Sequence, residues 1–212
     1  MVARTDGLPF PSQAQVNASL CTSCGICVGA CPSSTPFRRS EELRTGIDLP
    51  DYNLKTLRER TIEAAKMLGG SNRALVFACE HGGARSLDGV VRLPCVAMAP
   101  PSLFDFVLSR DLADGVVIAG CAESACFNRL GIAWTRQRIA GTRDPYLRTR
   151  VPRERIAVVL GSALEARRVA AEIATFAEKL TTFPRKILRS PQPTPSISSR
   201  EERAPSQAGI AP

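Results

Sequence analysis

Cys21, Cys24, Cys27 and Cys31 stand in the run "CTSCGICVGACP", four thiols within eleven positions and closed by Pro32. C-x2-C-x2-C-x3-C-P is the spacing of ligands to a 4Fe-4S cube, because two intervening residues let a loop wrap one cluster so that successive thiolates reach different irons. Gly25 gives the backbone room to approach the inorganic sulfides. Zinc is the rival occupant, but it usually takes C-x2-C pairs separated by a longer spacer. In chains with two such runs the fourth cysteine serves the other cluster. This chain has a single run, so either Cys31 closes its own cube or a partner supplies the missing ligand. The first is favoured, because no other unclaimed thiol lies nearby.

The other four cysteines are scattered. Cys79 ends the apolar run "ALVFAC", Cys95 ends "GVVRLPC", and Cys121 ends "DGVVIAGC". If these runs are neighbouring parallel strands, their carboxyl ends share one edge and the thiols converge. Cys126 is expected in the opening turn of a helix through Phe127, Leu130 and Trp134, where the positive end of the helix dipole favours thiolate over thiol. One cysteine per strand end plus one at a helix terminus makes a four-sulfur cage. Such a cage suits iron–sulfur or zinc, and each cysteine taken singly could instead pack as a small hydrophobe.

The elements that would position these thiols are legible in the periodicity. Strand-like runs, with "IAVVL" a fourth, alternate with helical patterns. Leu54, Leu57, Ile62, Ala65 and Leu68 share one helix face, which Gly69-Gly70 would end. Pro100-Pro101 opens a helix containing Leu103, Val107 and Leu112. Ser162 and Glu165 form a capping box ahead of Val169, Ile173, Phe176 and Leu180. The expected fold class is α/β, an open and mostly parallel sheet flanked by helices. Five zones follow: an N-terminal arm over 1–18, a small iron–sulfur segment over 19–37, a linker over 38–52, the α/β domain over 53–182, and a disordered tail over 183–212. "AQVNASLC" reads as the short strand leading into the cysteine loop.

Composition narrows the function classes. The chain has 212 residues, 44% hydrophobic and 23% charged, with a net charge of +8. Aromatic residues are only 5% and nowhere interleave with basic ones, which argues against nucleic acid. No apolar run approaches the length of a membrane span or a signal peptide core, so the cytoplasm is the expected compartment, where thiols stay reduced. Eight cysteines there favour metal over disulfides. His81 is the single histidine, so no nucleophile has a credible base. His81 reads as a solvent-facing loop residue, with a role beside a cluster as the sharper alternative. "HGG" and "LGS" follow strands but match no dinucleotide fingerprint. Five arginines lie between 143 and 155, a candidate docking face for an acidic partner or simply a solvated loop.

"DGVVIAGCAESACFNRLG", with "FVLSRDLADG" before it, resembles the delta-subunit family of methyl-viologen-reducing hydrogenase, also called hydrogenase iron–sulfur subunits. The resemblance spans roughly 73–180, and GC-x4-C is its most specific element. It implies a 2Fe-2S cluster on Cys79, Cys95, Cys121 and Cys126, and electron passage between a flavoprotein or hydrogenase-type donor and a heterodisulfide-reductase-like partner. The chain departs from the family pattern at Phe127-Asn128, where His-Tyr is frequent, and at His81-Gly82, where a second cysteine is frequent. Residues 16–37 resemble one half of a two-cluster ferredoxin. The expectation is a non-catalytic electron-transfer subunit of an oxidoreductase complex. Its rival is a redox-sensing or assembly module holding iron–sulfur or zinc.

Overall fold

β-Branched and small apolar residues form the central strands because a parallel sheet is covered on both faces and each strand must be apolar on both. The computed structural model describes residues 2–3, 11–13, 16–17, 19–31, 49 and 52–183. Four strands make one sheet: β3 (Ala74–Cys79), β4 (Val91–Leu93), β5 (Gly115–Gly120) and β6 (Ile156–Leu160). Their order is β4-β3-β5-β6 and every pairing is parallel. The chain steps from β3 to β4 on one side and then returns to place β5 on the other. The carboxyl ends of β3 and β5 therefore flank a topological switch point, where open α/β sheets form their sites.

Side-chain alternation divides the sheet into two faces. Leu75 and Phe77 of β3 and Val116 and Ile118 of β5 pack with α2 (Leu54–Met67) and α3 (Pro101–Ser109). Val76, Ala78, Val117 and Ala119 pack against Val169 and Ile173 of α5 (Ala166–Lys179). The capping box is formed: the Ser162 amide and hydroxyl both bond the Glu165 carboxylate, at 2.9 and 3.0 Å. α4 (Gly131–Ala140) starts beyond the Cys121–Cys126 loop.

At the N-terminal end, β1 (Val2–Ala3) and β2 (Ser12–Gln13) form an antiparallel ladder inside the segment expected to be only an arm. The strand expected at "AQVNASLC" is not formed at its described residues; the ladder lies earlier in the chain. The cysteine run leads into a short helix, α1 (Ile26–Ala30). Leu49 and Tyr52, at the end of the expected linker, are buried, and the Tyr52 hydroxyl donates to the Arg92 carbonyl at 2.7 Å. The expected disordered tail lies outside the described residues apart from Phe183.

The arginine run, expected as a docking face or a solvated loop, also makes contacts within the chain. Arg150 and Arg148 both pair with Asp105, whose side chain is buried. Arg155 is buried and donates to the carbonyls of Asp114 and Phe183, at 2.6 and 3.1 Å. Arg153 donates to the Ala140 carbonyl, and Arg143 lies over the Trp134 ring. Each of the five guanidiniums is engaged within the chain, because the loop between α4 and β6 must be tied down across the end of α3.

Candidate metal centres

Cys79 is the last residue of β3, and Cys121 immediately follows β5. Adjacent parallel strands in register bring these two side chains together across the switch point, and the Cys79 thiol donates to the Pro94 carbonyl at 3.7 Å. Cys121 also reaches Cys126, and Cys95 lies within electrostatic range of Cys126 and Cys79. The four scattered cysteines therefore converge at one sheet edge. Cys95 does so from a different position than expected: β4 ends at Leu93, and Cys95 instead opens a 3-10 turn over Val96–Met98.

Cys126 departs from expectation in its local structure. It ends a 3-10 turn over Glu123–Ala125, and α4 begins only at Gly131. The positive end of that helix still meets the thiol, because the Ile132 backbone N–H in its first turn points at Cys126. Burial outweighs it and pushes the Cys126 thiol up rather than down.

Backbone amides face every sulfur of this set. The N–H of His81 serves Cys79, that of Ala97 serves Cys95, that of Phe127 serves Cys121, and those of Ile132 and Asn128 serve Cys126. The Asn128 side chain also lies near Cys95 and favours its thiolate. Amides aimed at sulfur stabilise thiolate and are one of the levers on an iron–sulfur potential. Burial opposes ionisation, holding Cys95 up at about 11. Between Cys79 and Cys121 the interaction pulls the Cys79 thiol down and, with burial, pushes the Cys121 thiol up. A metal entering here must displace the thiol protons.

Glycine shapes this cage at one point. A Cβ on Gly131 would lie 2.5 Å from Cys95 Sγ and 3.6 Å from Cys126 Sγ, so any side chain would enter the space between two sulfurs. By donor chemistry four cysteine sulfurs faced by amides suit a thiolate-bound centre, but they are not drawn in around a single ion. Among the described residues no three Cys, His, Asp or Glu side chains are grouped tightly enough to hold one metal ion.

In the first run, Cys21 and Cys27 are exposed and Cys24 and Cys31 half-buried. Partial burial, with Cys24 and Cys21 close by, pushes the Cys27 thiol up. Ser23 and Gly25 take positive φ of 53° and 72°, which turns the loop back on itself. Gly25 does more than expected for a loop: a Cβ there would meet the Met98 side chain at 2.7 Å. One turn later, a Cβ on Gly29 would collide with the Ala97 carbonyl oxygen. This bare face seats α1 on the 3-10 turn that follows Cys95. The two cysteine sets thus adjoin, and Cys24 is close enough to Cys95 to add to the rise of its pKa.

Around the junction lies a cavity of about 340 Å³, lined by Cys24, Tyr52, Glu80, His81, Phe127 and Asn128 among others. His81 is exposed, and its ring stacks on Phe127 with centroids 3.8 Å apart. The two departures from the family pattern thus meet in space. The glycine loops after the strands serve the fold: the Gly83 amide donates to the Gly161 carbonyl, and the Gly161 amide to that of Gly120, each within 3.2 Å. Glu123 pairs with Arg136 at the surface.

With this geometry in place, comparison with known families assigns both segments. Residues 86–183 match the family of methyl-viologen-reducing hydrogenase, delta subunit. This segment belongs to that family. Residues 14–35 match the 4Fe-4S binding domain, which supports a 4Fe-4S cluster at the first cysteine run. No curated protein matches the chain. The delta-subunit segment contains Cys95, Cys121 and Cys126, while Cys79 lies just before it and is brought in by β3. A delta-subunit segment joined to a 4Fe-4S domain makes the chain an iron–sulfur protein of the electron-transfer class, associated with other redox subunits. No helix among the described residues is long and apolar enough to cross a membrane.

Sequence reasoning missed Arg138. It is 2% exposed and donates from Nη1 to the Ala97 carbonyl at 2.8 Å, beneath the turn on which α1 sits. The signal was present: Ile132, Thr135 and Arg138 follow helical spacing, so the arginine falls on the buried stripe of α4.

Proposed function

We propose that the chain relays single electrons through two iron–sulfur centres, a 4Fe-4S cube on Cys21, Cys24, Cys27 and Cys31 and a 2Fe-2S centre on Cys79, Cys95, Cys121 and Cys126. The observation that carries this reading is the junction of the two cysteine sets, with α1 seated on the turn after Cys95 and Cys24 within electrostatic reach of it. Two separate structural zinc sites have no need of contact; two redox centres in sequence do. The thiols of the second set run in a string from Cys79 through Cys121 and Cys126 to Cys95, which suits a centre of two metal atoms. Iron and inorganic sulfide would supply the electron-accepting chemistry when bound. The polypeptide supplies ligands, amide donors to the sulfurs, and a fixed spacing between the two sites.

The electron donor in this reading is a flavoprotein or hydrogenase-type subunit, and the acceptor a heterodisulfide-reductase-like or other redox subunit, in the cytoplasm. The chain itself catalyses no substrate chemistry. Anaerobically purified protein should contain about six irons per chain, by the sum of the two cluster types. Dithionite reduction should develop two distinguishable paramagnetic signals. Stoichiometric zinc with little iron would sink the proposal.

A further inference from the structure

Arg138 heads the fully buried side chains by size, yet no opposite charge pairs with it among the described residues. Its one hydrogen bond through Nη1 goes to the neutral Ala97 carbonyl, and Nε has no partner. None of the ion pairs among the described residues includes it. The ionisable groups that bear on it are Arg143, which repels it, and Cys95. A buried charge is costly unless an opposite charge faces it. A free thiol at neutral pH is uncharged, whereas a metal-bound cysteine is a thiolate.

Its position is specific. The Ala97 carbonyl that accepts from Arg138 belongs to the turn after Cys95, and the Ala97 amide faces the Cys95 sulfur. The guanidinium therefore stands behind the turn that carries Cys95, fixed through the residue whose amide faces that sulfur.

We infer that Arg138 is the fixed counter-cation of the second cysteine site, offsetting the negative charge of its thiolates and metal centre and easing uptake of an electron there. The inference rests on the proposed assignment of Cys79, Cys95, Cys121 and Cys126 as ligands. Uptake of one electron from a donor adds one negative charge to the site. The guanidinium remains protonated throughout, so it gives up and accepts nothing. Arg138 is a positioning residue in the electrostatic sense, and its signature is a potential rather than a rate.

The test is a dithionite titration of the full chain, purified anaerobically and followed by electron paramagnetic resonance. Arg138→Gln keeps a donor for the Ala97 carbonyl and loses the charge; Arg138→Lys keeps the charge. At the wild-type midpoint of the second centre, the reduced-to-oxidised ratio should fall about tenfold in Arg138→Gln, about 60 mV for a one-electron couple. Arg138→Lys should stay within about twofold, and the cube signal should shift less than the second. An unchanged midpoint in Arg138→Gln, or equal falls in both variants, overturns the inference. If Arg138→Gln does not accumulate, melting of Arg138→Met with and without metal decides. The uncharged variant should raise the melting temperature of metal-free protein and shrink the gain on metal loading; a gain equal to wild type overturns the inference. A wild-type chain with no second iron signal fails the cluster assignment itself, whereas a second signal that ignores Arg138 fails this inference alone.

Discussion

At the residue scale the sulfurs and their amide donors carry the chemistry. Cys121→Ser or Cys126→Ser should abolish the second signal and leave the cube, since the two sets occupy different segments. Loss of both signals together would contradict two separate sites. Cys31→Ser should convert the cube to a three-iron form or lose it, and an unaltered cube spectrum would place the fourth ligand outside this chain. Gly131→Ala adds a Cβ 2.5 Å from Cys95 Sγ, so iron content should drop toward four per chain while helix content holds. The eight cysteines and their division into two sets were legible in the sequence because ligand spacing and strand-end position are local properties. The amides of His81, Ala97 and Phe127, and Arg138 behind them, were not. They are aimed by loops that meet only when β3, β5 and the turn after Cys95 are in place.

At the scale of elements, the strands and helices followed from period and capping. The start of α4 did not, because Phe127, Leu130 and Trp134 satisfy a helical spacing while Cys126 and Asn128 are held by the sulfur-facing loop. The contacts of the arginine run within the chain were hidden for a related reason: a charge run gives no sign of buried partners such as Asp105. Arg150→Ala leaves that carboxylate, among the described residues, with the more exposed Arg148 alone, and should destabilise the fold by roughly 1–3 kcal/mol in chemical denaturation. A selective loss of partner binding with unchanged stability would support the docking role instead. The Ser162–Glu165 box offers a pH test. Its hydrogen bonds hold the Glu165 carboxyl down at about 2, from an ordinary 4.5. A depressed acid stabilises the fold above its ordinary value and loses that contribution as pH falls through its folded one. The melting-temperature advantage of wild type over Glu165→Gln should therefore shrink between about pH 4.5 and about pH 2. An advantage constant over that range would mean the box is not formed in solution.

For the whole molecule, the seat of α1 on the turn after Cys95 couples the two cysteine sets. Gly29→Leu should lift α1 off the Ala97 carbonyl and separate them. With both centres reduced, magnetic interaction between their signals should be visible in wild type and weakened in the variant, while each signal persists. Interaction of full strength in Gly29→Leu would dissociate the contact from electron passage. Parallel order and helix layers were foreseeable from alternation of element types; this seat was not, since nothing in "CGICVGAC" names the surface it covers. The seat also has a consequence in the time course of synthesis. The cysteine run leaves the ribosome well before Met98, and before the Arg138 that braces Ala97 from below. At roughly 5–20 residues per second the first four thiols wait for seconds without the surface that half-covers them. During that interval they are open to oxidant and to stray metal, so oxygen arriving during translation should damage the first centre more than oxygen met by the finished chain.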